Sequence, residues 1–406
     1  MDKKIYNLNF WWEKQNYGAN LTAYALHKLL PGSLLVDNII WQNAPFARKF
    51  TVFADFQRAH FHTTEPMAGD LDSLNETADT FITGSDQVFR TKYMEHPEQF
   101  LLDFAKKEAR KVSFSASFGV DKDEFLAETP SELASHMGRS LASFDLVSVR
   151  EKSGVEICRS LGVEAEWIID PVFILERSEW DELADTGKAD YSGKIVSYVL
   201  DTNGDYKRAY KHLARQYGTD VIETYDRNIP VEDWLRSIRD SRLFVTDSFH
   251  GVCFAIIFKK PFICIAKNAR ARFSSICEML GMENQSLASV NEIYSGDCVF
   301  KLDHAKVAAR IAEERARGLD FLQRALSTPP GKAEQKEEVR LSYLENRIHE
   351  LQRQATLRYQ CWAKLVSLFK FIKKIYILYA PLAVKDTYKK LKKKIKAITN
   401  AKSMRY

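Results

Sequence analysis

From Ile5 to Leu326 short β-rich apolar runs alternate with amphipathic stretches, and a parallel sheet covered by helices is the architecture that absorbs such a rhythm. Ile5–Phe10, Leu34–Ile40, Thr80–Thr83, Lys111–Ser115 and Leu146–Val149 read as strands, with helical patterns such as Ala19–Leu30 and Lys152–Leu161 between them. Asp170-Pro171 closes this series, because the residue before a proline is pushed away from helix and the chain must turn. A second series follows, with strands near Ile195–Leu200, Asp220–Glu223, Leu243–Thr246 and Phe262–Ile265. Its helices fall near Gly204–Gln216, Val231–Asp240, Gly251–Phe258, Phe273–Leu280 and His304–Leu326. At 406 residues the chain exceeds one ordinary domain. The expected fold class is therefore α/β with two Rossmann-like domains, over 1–172 and 173–326, and a cleft between two such halves is the default place for a ligand.

Ser327-Thr328-Pro329-Pro330-Gly331 breaks the pattern and predicts a linker over 327–334. In the tail, 335–406, Leu341, Leu344, Ile348, Leu351, Ala355, Trp362, Leu365, Phe369, Ile372, Tyr376 and Tyr379 keep a 3-4 spacing interrupted only at Arg358. That is a coiled-coil seam able to pair two chains into a homo-oligomer. Val384, Tyr388, Leu391, Ile395 and Ile398 repeat the spacing among lysines. From Cys361 to Tyr406 there are 12 Lys and one Arg against one Asp, a net +12, so the other 360 residues carry −7 of the total +5. A uniformly basic nucleic-acid binder would not divide its charge this way, although a tail alone could still touch nucleic acid, and no nucleic-acid partner is expected. The longest uncharged stretch of this segment, Ile375–Val384, has ten residues and contains Pro381, whereas a spanning helix needs about twenty apolar residues. A basic amphipathic helix lying on an anionic membrane surface fits better, with a solvated lysine face on an ordinary coiled coil as the alternative.

The opening MDKKIYNLNFWW lacks the apolar core and cleavage site of a secretory signal, so a cytoplasmic protein, peripheral on the inner membrane face through its tail, is expected. Six cysteines, Cys158, Cys253, Cys264, Cys277, Cys298 and Cys361, show no CxxC pair or metal-ligand spacing and read as mostly buried thiols, with no metal site.

Five segments carry polar chemistry at strand-to-helix junctions. Asn16, Tyr17 and Gly18 form a glycine turn whose free N–H groups suit an anion, or else simply a tight βα turn. Gly84, Ser85 and Asp86 follow an apolar strand, where Asp86 is placed to bond a sugar hydroxyl, act as a base, or cap the next helix. Arg150 follows another strand and offers a planar cation for a carboxylate or phosphate, or pairs with Glu151 or Asp170. His250, beside Ser248 and Gly251, stands at a sheet's carboxyl edge as an acid or base. No GxSxG elbow accompanies it, which disfavours a serine hydrolase. Arg270 and Arg272 at a helix entrance suit an anion or a salt-bridged surface.

The order of the segments is more specific than any one of them. NYGANLTAYAL, FITGSDQVF, VSFSASFG, DLVSVREKSGVEICRSLGV, IIDPVFIL, VTDSFHGVCFAIIFKKPFI and NARARFSSICEMLGM resemble the successive signature blocks of the polysaccharide pyruvyl transferases, over roughly residues 16–282. The resemblance implies a GT-B-like pair of domains, phosphoenolpyruvate as co-substrate with no other cofactor, and a pyruvate ketal on a sugar or lipid-linked oligosaccharide as product. It carries the family's final-motif histidine onto His250 and the arginine of the SVRE block onto Arg150. Many members have Arg-Leu-His where this chain has Ser248-Phe249-His250, so Arg270 or Arg272 stands in for the missing arginine. The implied roles are His250 and Asp86 for catalysis, and Arg150, Ser248, Gly251, Arg270 and Arg272 for the donor. Asn16, Tyr17, Gly18, Gly84 and Ser85 would meet the acceptor or an anion. A GT-B nucleotide-sugar glycosyltransferase would share the cleft and differs in needing a nucleotide site.

Overall fold

The structure, a computed structural model, describes residues 4–12, 16–38, 51–93, 95–200, 204–225, 227–265, 270–282, 290–295, 298–300 and 302–379. Of the basic segment 361–406, expected on a membrane surface, residues 380–406 lie outside the described residues, as do Ile39, Ile40 and Asn268.

Among the described residues, ten parallel strands make two sheets. The first contains β1 (Lys4–Leu8), β2 (Leu34–Leu35), β3 (Ala78–Thr83), β4 (Arg110–Ala116), β5 (Leu146–Val149) and β6 (Glu166–Trp167), in the order β2-β1-β3-β4-β5-β6. The second contains β7 (Ile195–Tyr198), β8 (Val221–Glu223), β9 (Leu243–Thr246) and β10 (Phe262–Cys264), in the order β10-β9-β7-β8. The inner strands β7 and β9 are buried along their whole length, which is why IVSY and LFVT are nearly unbroken apolar runs rather than alternating ones.

Both sheets share one topology. The first strand of each series sits between the second and the third, so the order reverses beside β1/β3 in one sheet and beside β7/β9 in the other. Loops at the carboxyl ends of strands flanking such a reversal open onto a crevice, the usual ligand position in α/β sheets. Asp86 follows β3 and His250 follows β9, the equivalent strands of the two sheets.

The helices that position the site, in chain order, are α1 (Tyr17–Leu29), α2 (Lys152–Ser160), α3 (Pro171–Ile174), α4 (Val231–Asp240), α5 (Phe249–Ile257), α6 (Arg270–Met279), α7 (His304–Ser327) and α8 (Ala333–Tyr379). Asp170 caps α3 and Pro171 occupies its first position, where a missing N–H costs nothing. The turn expected at Asp170-Pro171 is thus a helix start, and the expected boundary at 172/173 falls inside α3.

Both sheets belong to one compact unit, Met1–Tyr343, and Leu344–Tyr406 form a second. Within the first unit α7 crosses back to the first sheet: Phe321 meets Phe114 of β4 with ring centroids 5.8 Å apart. Gly318 lets it approach α3 so closely that an added Cβ would lie 2.5 Å from Ile174 Cδ1. By sequence α7 falls in the span 173–326, but its apolar stripe is buried on the first half. Tyr17 joins the halves from the other side, stacking on Trp234 of α4 with centroids 4.9 Å apart and donating its hydroxyl proton to the Ile229 carbonyl at 2.9 Å.

In the second unit α8 continues as an unbroken helix to Tyr379, and Ile348, Leu351, Trp362 and Leu365 of the predicted seam are exposed. Among the described residues no helix is long and apolar enough to cross a membrane. Cys158, Cys253, Cys264, Cys277 and Cys298 are buried free thiols.

Candidate active site

β5 runs directly into Arg150, whose backbone N–H donates to Ala116 O at 3.0 Å and so pins the residue at the carboxyl edge of the first sheet. Its side chain is almost fully buried. Nη1 donates to Asp170 Oδ2 at 2.7 Å and Nη2 to Asp86 Oδ1 at 2.9 Å. Burial alone would lower the guanidinium pKa, but Asp86 and Asp170 outweigh it and raise it. The arginine therefore pairs with Asp170, one of its two expected structural partners, and with Asp86. Glu151 instead accepts the backbone N–H groups of Phe118 and Gly119.

Asp170 is the hub. Oδ1 accepts from Thr22 Oγ1 at 3.0 Å and from the Val172 N–H at 3.1 Å, while Oδ2 faces Arg150, Ser85 Oγ at 3.3 Å and His250 Nε2 at 3.5 Å. Burial pushes this carboxyl up, yet the hydrogen bond and charge of His250 and the charge of Arg150 carry it well below the usual carboxylate range.

Asp86 does not cap a helix. Its φ of 75° lies in the left-handed region that Asp tolerates better than most residues, and its carbonyl accepts the Val88 and Ser117 N–H groups, both at 2.8 Å. Gly84 precedes it with φ +112°, where an added Cβ would lie 2.5 Å from Phe114 O. Glycine is required there for the loop to fold over β4 and turn the Asp86 carboxylate toward Arg150.

From the second sheet, β9 leads through Ser248 into α5. Ser248 is the N-cap, accepting the Gly251 N–H at 3.3 Å, and a Cβ on Gly251 would lie 2.5 Å from Thr246 Oγ1. Both residues expected at the donor therefore seat the helix on its strand. His250, expected just ahead of a helix starting at Gly251, lies in the first turn of one that starts at Phe249, and it is buried. Its Nε2 stands 3.3 Å from Arg150 Nη1. Its other face meets α1, where a Cβ on Gly18 would come within 2.0 Å of Nδ1. Asn16 caps α1, accepting the Ala19 N–H at 3.1 Å, and Gly18 belongs to its first turn. The expected open glycine turn is thus a capped helix start, with Tyr17 spent on joining the halves. Two helix N-termini, of α1 and α5, converge on His250 and favour negative charge there.

Arg272 of α6 completes the constellation. Its guanidinium carbon lies 5.9 Å from the centroid of the Phe249 ring, which also underlies Arg150 at 4.6 Å. Burial, then the like charge of Arg150, lowers the Arg272 pKa to about 10. Its Nε is buried without a hydrogen-bond partner, and so is Nε of Arg150. The Lys152 N–H donates to Ser275 Oγ at 3.1 Å, tying α2 to α6 and fixing where Arg272 enters. The Arg270 side chain lies outside the described residues.

The structure thus brings Asp86, Ser85, Arg150, Gly18 and His250 together, with Arg272 beside Arg150 across Phe249. Sequence reasoning missed Thr22 and Phe249 as members and offered Asp170 only as a structural partner of Arg150. The Asp170-Pro171 signal was visible, but it spoke for a turn, and only the fold shows five donors meeting at one carboxylate.

The fold is thus that of an α/β protein that gathers an imidazole, paired carboxylates and a helix-borne arginine with an open Nε at the carboxyl edges of two parallel sheets, an arrangement chemically able to hold an anion beside an acid–base group. The chain belongs to the polysaccharide pyruvyl transferase family, whose model matches residues 16–268. No curated protein matches it. Among solved structures it is similar to a functionally uncharacterised protein of Klebsiella pneumoniae subsp. pneumoniae, at 13% identity and TM-score 0.38, covering 68% of this chain and 88% of that one. A UDP-GlcNAc 2-epimerase from Neisseria meningitidis bound to UDP-GlcNAc is similar at 9% identity and TM-score 0.44, over 85% of this chain and 100% of the other. The UDP-GlcNAc 2-epimerase of Methanocaldococcus jannaschii is similar at 10% identity and TM-score 0.42, over 84% and 100%.

Proposed function

We propose that this chain moves a pyruvyl group from phosphoenolpyruvate to two hydroxyls of a sugar in a cell-surface or exopolysaccharide precursor, forming a pyruvate ketal. Beside the family membership, the observation that carries the reading is Arg272: a half-buried guanidinium whose Nε has no partner, facing the Arg150–Asp170–His250 cluster. A carboxylate or phosphate completes its bonding.

In this reading His250, held against Asp170, gives its proton to C3 of the enol, and C2 becomes electrophilic. One sugar hydroxyl attacks C2, the C–O bond to phosphate breaks, and the second hydroxyl closes the ketal. The hydroxyl protons return to His250 and to the departing phosphate. Asp86 orients the acceptor, and Arg272 meets the donor's anionic groups together with the open Nε of Arg150, whose other two nitrogens are held by Asp86 and Asp170. The two sheets act as the halves of a GT-B-like cleft. The reading is tested by following inorganic phosphate from phosphoenolpyruvate, and nucleoside diphosphate from UDP-sugars, in the presence of a lipid-linked oligosaccharide fraction. Phosphate release that falls at least a hundred-fold in His250→Ala supports it. Nucleoside diphosphate release alone makes the chain a glycosyltransferase.

The tail is proposed to hold the enzyme at an anionic membrane surface on the cytoplasmic side, where lipid-linked sugars are met, with the exposed seam of α8 pairing two chains. Its charge pattern supports this, each lysine near such a surface adding about 1 kcal/mol. Sedimentation with anionic vesicles at low salt should carry down the full chain but not one lacking residues 361–406. Equal pelleting removes the proposal.

A further inference from the structure

We infer that Phe249 is a positioning residue for the donor, a single aromatic platform that holds Arg150 and Arg272 together so that both guanidiniums address one anion. The inference rests on the functional reading above. Two arginines close enough for one to lower the other's pKa repel each other in a buried setting. Arg150 resolves its share through Asp86 and Asp170. Arg272 has no carboxylate within ion-pair distance among the described residues, and what lies beneath it is the Phe249 ring. An aromatic face carries partial negative charge and attracts a guanidinium without neutralising it. A carboxylate in that place would fill the bonding capacity that an incoming anion needs; a ring leaves the N–H groups free.

The local fold fixes the ring with some care. Phe249 is buried, lies between the Ser248 cap and His250, meets the His250 ring edge-on at 5.3 Å, and contacts Phe273 of α6 at 6.3 Å. One side chain therefore touches the residue proposed as acid, the arginine that organises the carboxylates, and both the arginine and the phenylalanine of α6. The N–H groups held over it are those of Arg150 and Arg272, each with an Nε that no protein group occupies. The ligand class this arrangement suits is a small compound with two anionic groups close together, as phosphoenolpyruvate is.

The experiment compares Phe249→Leu and Phe249→Tyr with the full-length wild type, in phosphoenolpyruvate-dependent phosphate release and in a double-mutant unfolding cycle with Arg272→Met that needs no ligand. Leucine keeps the apolar bulk and removes the π face. Phe249→Leu is expected to raise KM for phosphoenolpyruvate about ten-fold while kcat stays within about three-fold, and Phe249→Tyr to stay within about two-fold in both. In the cycle, Phe249→Leu should destabilise the wild-type background more than the Arg272→Met background. A KM unchanged by leucine, a tyrosine variant as impaired as the leucine one, or additive effects in the cycle overturns the platform. If the wild type neither binds nor turns over phosphoenolpyruvate, the functional reading fails by itself, and a non-additive cycle still upholds the platform as an anion-holding device.

Discussion

The first sheet buries charge at both of its edges, and the two clusters differ in what they leave unsatisfied. At the amino edge Lys111 Nζ donates to Ser143 Oγ at 2.6 Å and lies 4.9 Å from the Phe144 ring centroid. Asp145 there accepts the Lys111 N–H at 2.8 Å, the Gly331 N–H at 2.6 Å and Lys336 Nζ at 2.7 Å. Lys336 also donates to Ala109 O at 2.9 Å. Its ammonium joins two segments that are more than 200 residues apart in sequence, and the start of α8 is thereby locked onto the sheet. At the carboxyl edge the Arg150–Asp86–Asp170 core is paired as tightly, with His250 against it, but Arg272 stands beside Arg150 with an Nε that has no partner. Buried lysines tied to a carboxylate, a hydroxyl and a carbonyl hold the fold at the amino edge; an arginine Nε left without a partner at the carboxyl edge suits an anionic ligand.

Asp170→Asn should break the contrast most severely, because it leaves Arg150 half-paired and His250 without its carboxylate. Phosphate release is expected to drop at least a hundred-fold, and the unfolding free energy by about 3–5 kcal/mol. The Asp170 carboxyl is depressed in the fold, so its stabilisation is present above its unfolded value near pH 4 and is lost only as pH falls through the lower folded value. Activity within about three-fold of wild type would make the carboxyl edge as purely structural as the amino edge.

Lys336→Met should separate the edges the other way. It strands Asp145 and is expected to cost about 3–5 kcal/mol in urea unfolding, with kcat and KM for phosphoenolpyruvate within about two-fold of wild type. A comparable loss of turnover in the folded variant would mean that the two clusters are one machine.

The finest distinction is in pH. Burial, helped by the like charge of Lys336 and opposed by the charge of Asp103, sets the Lys111 pKa down to about 8 from 10.5. Between those values the unfolded chain binds more protons than the fold, so stability should rise with pH through that window relative to Lys111→Met. The rise is at most about 3 kcal/mol. A flat difference would show that Lys111 titrates normally.

How much of this the sequence disclosed follows from which signals are local. Strands β5 and β9 and helix α4 stand where their apolar patterns end, because Leu146–Val149, Leu243–Thr246 and Val231–Asp240 are bounded by charged or turn residues. β6, Glu166–Trp167, was missed, since two residues with one apolar side chain carry no periodicity. Arg150 and His250 were legible because each follows an apolar strand directly. Asp86 was legible as polar chemistry, while its partner depended on the fold. Asp170 was legible only as a partner for Arg150, and Phe249 not at all, since a hub and a platform exist only when distant chain segments arrive around them, Thr22 and Ser85 standing 148 and 85 residues from Asp170. Asn16, Ser248 and Gly251 show the converse: their residue types suggested a ligand, and local geometry spends them on capping and close packing.

The most direct test of the central claim is calorimetric titration of phosphoenolpyruvate into the full-length chain and into Arg272→Met, with circular dichroism confirming that both are folded. The account predicts that the wild type binds phosphoenolpyruvate and that the variant binds at least ten-fold more weakly, since a charge-assisted pair to the donor is lost. Equal affinities in the two proteins, or no binding to the wild type, would contradict it.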